Sequence, residues 1–379
     1  MGYSSLGSGP TGENGAAYRP VEVSVAATVL YMSETPAEYE VTVVGGGPAG
    51  LTAALYTTRL GHETAVVDRG GGRAAMMADT HNVIGVTEDV SGPAFLETAL
   101  EQVTGYGADH YRDFVSDAER TDEGRIRLSA GDVTIDTERV VLATGFTDGR
   151  PDPPAPRTAR GLHYCLHCDA YMLADAPVYV MGTGSSAAHV AMIMLNFTDE
   201  VDLLLNGDDP EWDEDTDRQL RAHPVEVIHE EVTGVENDDE GWLEAMEFAD
   251  GTGREYRGGF AMYGSEYNTD LAEQLGCALN DDGTVAVDDH GATSVEGVYA
   301  VGDLTPGHNQ VPTAMGEGAR AGIDIHYDLR EFPKSLDELE AEGAVGAGDV
   351  PGMSDRLRRH AREHEGNVAT SEAAEAADD

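Results

Sequence analysis

The chain has 379 residues, room for two domains of ordinary size, and 40% apolar residues, as in a globular protein. Its 71 acidic residues outnumber 23 basic ones, giving a net charge of −48, with Lys334 the only lysine. That field repels nucleic acid and anionic membranes, which need basic patches; spread over loops and helix faces, it points to a salt-rich, halophilic cytoplasm where screening relieves self-repulsion.

No apolar run is long enough to span a membrane, and the start lacks the basic-then-apolar pattern of a signal peptide. Three cysteines, two of them close together, suit a reducing compartment better than a stapled secreted fold. The expectation is a soluble, cytoplasmic protein.

Residues 1–38 carry Gly, Ser and Pro without a period and read as an irregular extension, in which Met32 is an alternative start to Met1. The ordered part opens with a strand over Glu40–Val44, the turn Gly45-Gly46-Gly47-Pro48-Ala49-Gly50, a helix from Leu51 to Leu60, and a strand Thr64–Val67 ending in Asp68. In this unit Gly45 permits the tight turn, Gly47 lets backbone approach a pyrophosphate, and Gly50 allows close helix–strand packing. The helix N-terminus faces the phosphates, and Asp68 stands where a ribose hydroxyl donates. Val140 to Leu142 is an apolar strand, and Ala143-Thr144-Gly145 after it is a small-residue turn where backbone passes close to a bound dinucleotide.

Next comes Cys165-Leu166-His167-Cys168-Asp169. A Cys-x-x-Cys pair exchanges two electrons as a dithiol/disulfide couple, and Asp169 is the residue type that moves the accompanying proton. The rivals are an inert structural pair and a zinc site completed by His163 and His167, although ligands packed into so short a segment have difficulty surrounding one ion. The preferred reading has no metal. Either histidine is also placed to lower a thiol pKa. Cys277 is isolated and reads as a small buried hydrophobe.

A second strand–turn–helix–strand unit follows: Pro177–Met181, Gly182-Thr183-Gly184-Ser185-Ser186-Ala187, Ala188–Asn196 and Val201–Leu205. Gly182, Gly184 and Ala187 are its candidate nucleotide residues. From Gly161 through Asp217 there is no Arg or Lys, so a 2′-phosphate would meet carboxylates. That disfavours NADPH, leaves NADH open, and leaves equally open a nucleotide fold that binds no nucleotide. Farther on, a strand over Gly297–Val301 leads through Gly302 to Asp303, and Asn309-Gln310-Val311 opens a helix over Thr313–Leu329, its N-terminus suited to negative charge on a flavin. From 333 the chain is acidic, with a short polar helix over Ser335–Glu342 and a disordered remainder.

These motifs, in this order and over roughly 39–330, resemble the low-molecular-weight thioredoxin reductase family of flavoproteins. The resemblance implies an α/β fold of two Rossmann-like three-layer domains, the second inserted into the first, as a homodimer. The FAD-binding domain would comprise 39–149 and 269–332, the NAD(P)-binding-like domain 150–268, and the tail 333–379. It also implies that Cys168 lies nearest the flavin, that Cys165 attacks the substrate disulfide, that Asp169 is the proton donor, and that Asn82 sits beside the flavin. The departures are Leu205-Asn206-Gly207 in place of a His-Arg-Arg phosphate triplet, Arg73 in place of a Gln, and His189 in place of an acid. Relatives without the triplet include dithiol oxidases that pass electrons to oxygen and ferredoxin-dependent reductases. The expected function is an FAD-dependent dithiol/disulfide oxidoreductase acting on a thioredoxin-like protein or a small disulfide. Its alternatives are a dithiol oxidase and a non-catalytic redox sensor or metal clip.

Overall fold

The computed structural model describes residues 35–330 and 332–364; the extension before Thr35, with Met32, lies outside the described residues. The chain enters on β1 (Ala37–Val44), turns into α1 (Pro48–Arg59) and returns on β2 (Thr64–Val67), parallel to β1. Helix α2 (Gly92–Gly105) leads to β3 (Asp109–Tyr111), followed by the meander β4 (Val115–Arg120), β5 (Ile126–Ala130) and β6 (Val133–Leu142). The sheet order is β3-β2-β1-β6-β5-β4.

The chain then leaves on β7 (Phe146–Asp148) for the inserted unit. There β8 (Arg157–Thr158), β9 (Gly161–His163), α3 (Leu166–Asp169), β10 (Val178–Met181), α4 (Ser185–Met194), β11 (Val201–Leu204), α5 (Glu214–Arg221) and β12 (Val225–Ile228) follow one another. A three-stranded antiparallel sheet of β13 (Val232–Asn237), β14 (Leu243–Phe248) and β15 (Gly253–Glu255) precedes β16 (Gly258–Ala261), which completes a six-stranded sheet ordered β12-β11-β10-β16-β9-β8. The return strand β17 (Ser265–Tyr267) pairs antiparallel with β7. After α6 (Asp270–Gln274), β18 (Val298–Ala300) joins the first sheet beside β6, and α7 (Val311–Leu329) packs against α1. These are two Rossmann-like α/β domains, the second inserted into the first.

Period-two alternation explains the first sheet. Val41, Val43, Val66 and Val141 point into one core with α1 and α7, whereas Val44, Ala65, Val67, Val140 and Leu142 point into another on the opposite face. Burying each Val or Leu side chain contributes about 1.5–3 kcal/mol, so strands with apolar residues on both faces are held at the centre of the layers. Strand β6 forks: Val133–Thr137 pairs antiparallel with β5, while Val140–Leu142 pairs parallel with β18.

Register sets the site. Val44 is level with Val67 and Leu142, and Leu142 with Ala300, so Gly45, Asp68, Ala143 and Val301 all leave the sheet along one carboxyl edge. In the second sheet Val180, Phe260 and His163 are level, so Gly182 and Cys165 both step off its carboxyl edge.

The acidic segment from 333 departs from expectation. The short helix is present as α8 (Leu336–Glu342), with Ser335 and Glu338 forming a capping box. A further helix, α9 (Asp355–Glu363), stands where disorder was expected. Its Leu357 is 1% exposed, and Arg356 pairs with Glu63 and, at 3.3 Å, with Asp109. One apolar residue among charges gives too weak a periodic signal to read.

Candidate active site

The carboxyl edge of the first sheet opens on a cleft of about 1210 Å³. Gly45, Gly47, Pro48 and Ala49 line it from the first turn, Asp68 from the end of β2, and Ala143, Thr144 and Gly145 from the end of β6. Gly302 and Asp303 come from beyond β18, and Asn309, Gln310 and Val311 from the start of α7. Asn82 and the segment Cys165, Cys168 and Asp169 complete the wall. Gly50 does not line the cleft. It lies beneath the turn, where a Cβ would come within 2.0 Å of the Gly45 carbonyl oxygen.

The donors fit a dinucleotide. Gly45 has φ +111° and a Cβ there would meet the Ala143 carbonyl oxygen at 2.3 Å, so only glycine makes this turn. At Gly47 nothing lies within 4 Å of a Cβ position, which leaves its backbone open to the cleft at the N-cap of α1. Asp68 accepts from the Gly70 N–H at 2.9 Å through one carboxylate oxygen, Oδ2. These are the features that bind a pyrophosphate and a ribose diol.

At the other end of the cleft Cys165 and Cys168 form a disulfide, with Cys165 as the N-cap of α3. The Gln310 side chain bridges it to the first domain. Its Nε2 donates to Cys165 Sγ at 3.4 Å and stands 3.8 Å from Cys168 Sγ, while its Oε1 accepts from Asn82 at 2.8 Å. Gln310 is also the N-cap of α7, so the positive end of that helix faces the same region. Asp169 lies 3.0 Å from His163 Nδ1 and 4.0 Å from His81 Nδ1. Cys277 is buried and free, and burial raises its thiol pKa.

The second glycine-rich turn is furnished differently, and neither Gly182, Gly184 nor Ala187 lines the cleft. Thr183 Oγ1 donates to the Glu211 carboxylate at 3.2 Å, and Glu211 N–H donates to Thr183 O at 2.8 Å. Leu205 is fully buried, and Asn206 accepts from the Val232 N–H at 2.9 Å, so both are committed to the fold. Among the described residues no three His, Cys, Asp or Glu side chains are grouped as metal ligands.

A family model for pyridine nucleotide-disulphide oxidoreductases matches residues 39–318. The chain belongs to this family. Within the pyridine nucleotide-disulphide oxidoreductases, it is 29% identical to a thioredoxin reductase of Peptoclostridium litorale, covering 78% of this chain and 98% of that one. It is 31% identical to a component of the alkyl hydroperoxide reductase of Xanthomonas campestris pv. phaseoli, covering 79% of this chain but only 59% of that longer relative. The thioredoxin reductase of Streptococcus pyogenes MGAS5005 superposes with a TM-score of 0.72 at 26% identity, covering 79% of this chain and all of the other. The family works with a flavin and a pyridine nucleotide.

Several groups of this oxidoreductase escape sequence reasoning. Arg73, seen only as a departure, donates to Asp148 at 2.9 Å, approaches Asp303 at 3.8 Å and lies 4.7 Å over the Phe146 ring. Burial raises the Asp303 carboxyl above its ordinary range, with Arg73 opposing. Glu317, also raised by burial, accepts from the Gly302 N–H at 2.8 Å. Asp148 and Glu317 carry no motif; only the register of β7 brings Asp148 to the cleft, and the length of α7 brings Glu317 beneath Gly302. Among the described residues no helix is long and apolar enough to cross a membrane.

Proposed function

We propose that this chain is an FAD-dependent dithiol/disulfide oxidoreductase in which the Cys165–Cys168 couple exchanges electrons with the flavin and, on its other side, with a thioredoxin-like protein or a small disulfide. One observation carries this reading. The disulfide and the dinucleotide cradle share one cleft, joined by the Gln310 amide that touches Cys165 and Asn82 at once. The Gly45–Ala49 turn would hold the pyrophosphate, Asp68 a ribose, and Asn82, Asp303, Gln310 and Val311 the flavin ring. Bound there, the flavin supplies the reversible two-electron couple that a disulfide needs. The protein's own part is to hold Cys165 and Cys168 in one turn of chain, to donate to their sulfurs from Gln310, and to keep Asp169 at hand for protons.

Residues around the second turn support an electron partner other than NADPH. A 2′-phosphate would approach Asp208, Asp209 and Glu211 with no Arg or Lys between Gly161 and Asp217, and Glu211 already takes the Thr183 hydroxyl. NADH remains compatible with this charge pattern. Reduced ferredoxin as donor, or oxygen as acceptor in a dithiol oxidase, is the second reading, since neither carries the 2′-phosphate that these carboxylates oppose.

Cys168→Ser tests the core of the proposal. The variant is expected to stay yellow with bound FAD while disulfide turnover falls to background, and any long-wavelength thiolate–flavin absorbance should vanish. Unchanged turnover would rule out the redox role of the pair.

A further inference from the structure

Asp169 does not stand free beside the cysteines. It ends α3, its N–H donates to Cys165 O at 3.2 Å, and its carboxylate lies between two imidazoles. Oδ2 is 3.0 Å from His163 Nδ1, whereas Oδ1 faces His81 across a gap of 4.0 Å, beyond hydrogen-bond reach. The His163 ring is itself held in place. It extends from β9 opposite Phe260, its centroid 6.0 Å from the Phe260 ring, and the side chain is only 15% exposed. A sheet residue thus grips the acid that follows the cysteine turn.

We propose that His163 is a positioning residue: by pairing through Nδ1 with Asp169 Oδ2 it fixes that carboxylate for the proton traffic of the Cys165–Cys168 pair. This rests on the redox reading given above. In exchange with a substrate disulfide RSSR, the Cys165 thiol passes its proton to Asp169 as its sulfur bonds to one substrate sulfur. The substrate S–S bond breaks, and the departing RS⁻ receives the proton as RSH. The Cys168 thiol then loses its proton by the same route, attacks Cys165 of the mixed disulfide and releases the second RSH. Two enzyme thiols become one disulfide, one substrate disulfide becomes two thiols, and two protons cross with two electrons. His163 contacts neither sulfur in this scheme; it acts through Asp169.

The test follows exchange alone. Protein reduced with a small dithiol, freed of it under nitrogen and kept in molar salt, is mixed in a stopped-flow instrument with an aromatic disulfide whose released thiolate absorbs. Rates are taken across pH for wild type, His163→Ala and His163→Asn. A hydrogen bond to a charged group supports an expected loss of about tenfold or more in His163→Ala. Its acid limb should also change, because the carboxylate that takes up the thiol proton is no longer paired with His163. In His163→Asn the side-chain N–H should restore most of the rate and the limb. An His163→Ala protein with wild-type rates overturns the proposal, as does one slowed equally at every pH with no recovery in His163→Asn. A wild-type protein that does not exchange at all overturns the redox reading itself, and this inference with it.

Discussion

The two glycine-rich turns begin alike and end differently. Both leave the carboxyl end of a central parallel strand and enter a helix whose N-cap is a glycine in extended conformation, Gly47 in one and Gly184 in the other. After the first, the neighbouring strand delivers Asp68 into a wide cleft. After the second, the neighbouring strand delivers a buried Leu205, an Asn206 committed to the Val232 backbone, and a loop that brings Glu211 onto Thr183. The glycines secure the backbone in both domains. The residues past the second strand decide what the turn can hold.

Low salt should remove this contrast altogether. With a net charge of −48, stability is expected to rise with screening, whose length is about 10 Å at 0.1 M salt and about 3 Å at 1 M. Below a few tenths molar we expect FAD release and unfolding of both domains, and thermal melts by circular dichroism that rise steadily with KCl. Equal melting temperatures in dilute buffer and in about 2 M KCl would disprove the expectation of a halophilic protein.

A paired substitution sharpens the comparison. Gly45→Val forces a side chain onto φ +111° against the Ala143 carbonyl, which should cost about 3 kcal/mol or more and leave a colourless protein after gel filtration. Gly184→Ala has ordinary φ of −84° and no neighbour nearer than 4.0 Å, so stability should change by about 0.5 kcal/mol or less with the flavin retained. If the second variant also lost its flavin, the two turns would not be separable.

The smallest effect concerns the carboxylate on the second turn. Flavin reduction by NADPH should be slow and unsaturated, with NADH faster or also inactive. Removing one carboxylate near a phosphate, as in Glu211→Gln, should strengthen nicotinamide binding by about threefold, less in molar salt. Rapid reduction of the wild-type flavin at micromolar NADPH would show that a distant arginine supplies the phosphate site.

What the sequence discloses follows from which constraints are local. Gly45 and Gly50 are legible because their backbone positions admit no side chain, and the cysteine pair because its chemistry needs that spacing. The strand–turn–helix units at Val41–Arg59 and Val178–Met194 are legible because period-two and helical patterns adjoin them. The grip of His163 on Asp169, the Arg73–Asp148 pair and the seat of Arg356 on Glu63 depend on register between strands far apart in the chain. Side-chain identity alone carries no trace of such meetings. Helix α9 escapes sequence reading for the same reason: its one buried apolar residue, Leu357, finds its partners only in the folded state.

The antiparallel ribbon of β7 and β17 has a consequence for ancestry. Asp148 pairs with Ser265 and Phe146 with Tyr267, so the chain departs from the first domain and comes back to it at a single place. Paired strands lie about 5 Å apart, a gap that a tight turn closes. A gene for the outer domain thus has one natural splice point at which an entire inner domain can be removed, exchanged or acquired without retying the sheet around it. Exchange at that point would replace the wall that carries Cys165, Cys168 and Asp169 while leaving the Gly45–Ala49 turn and Asp68 in place.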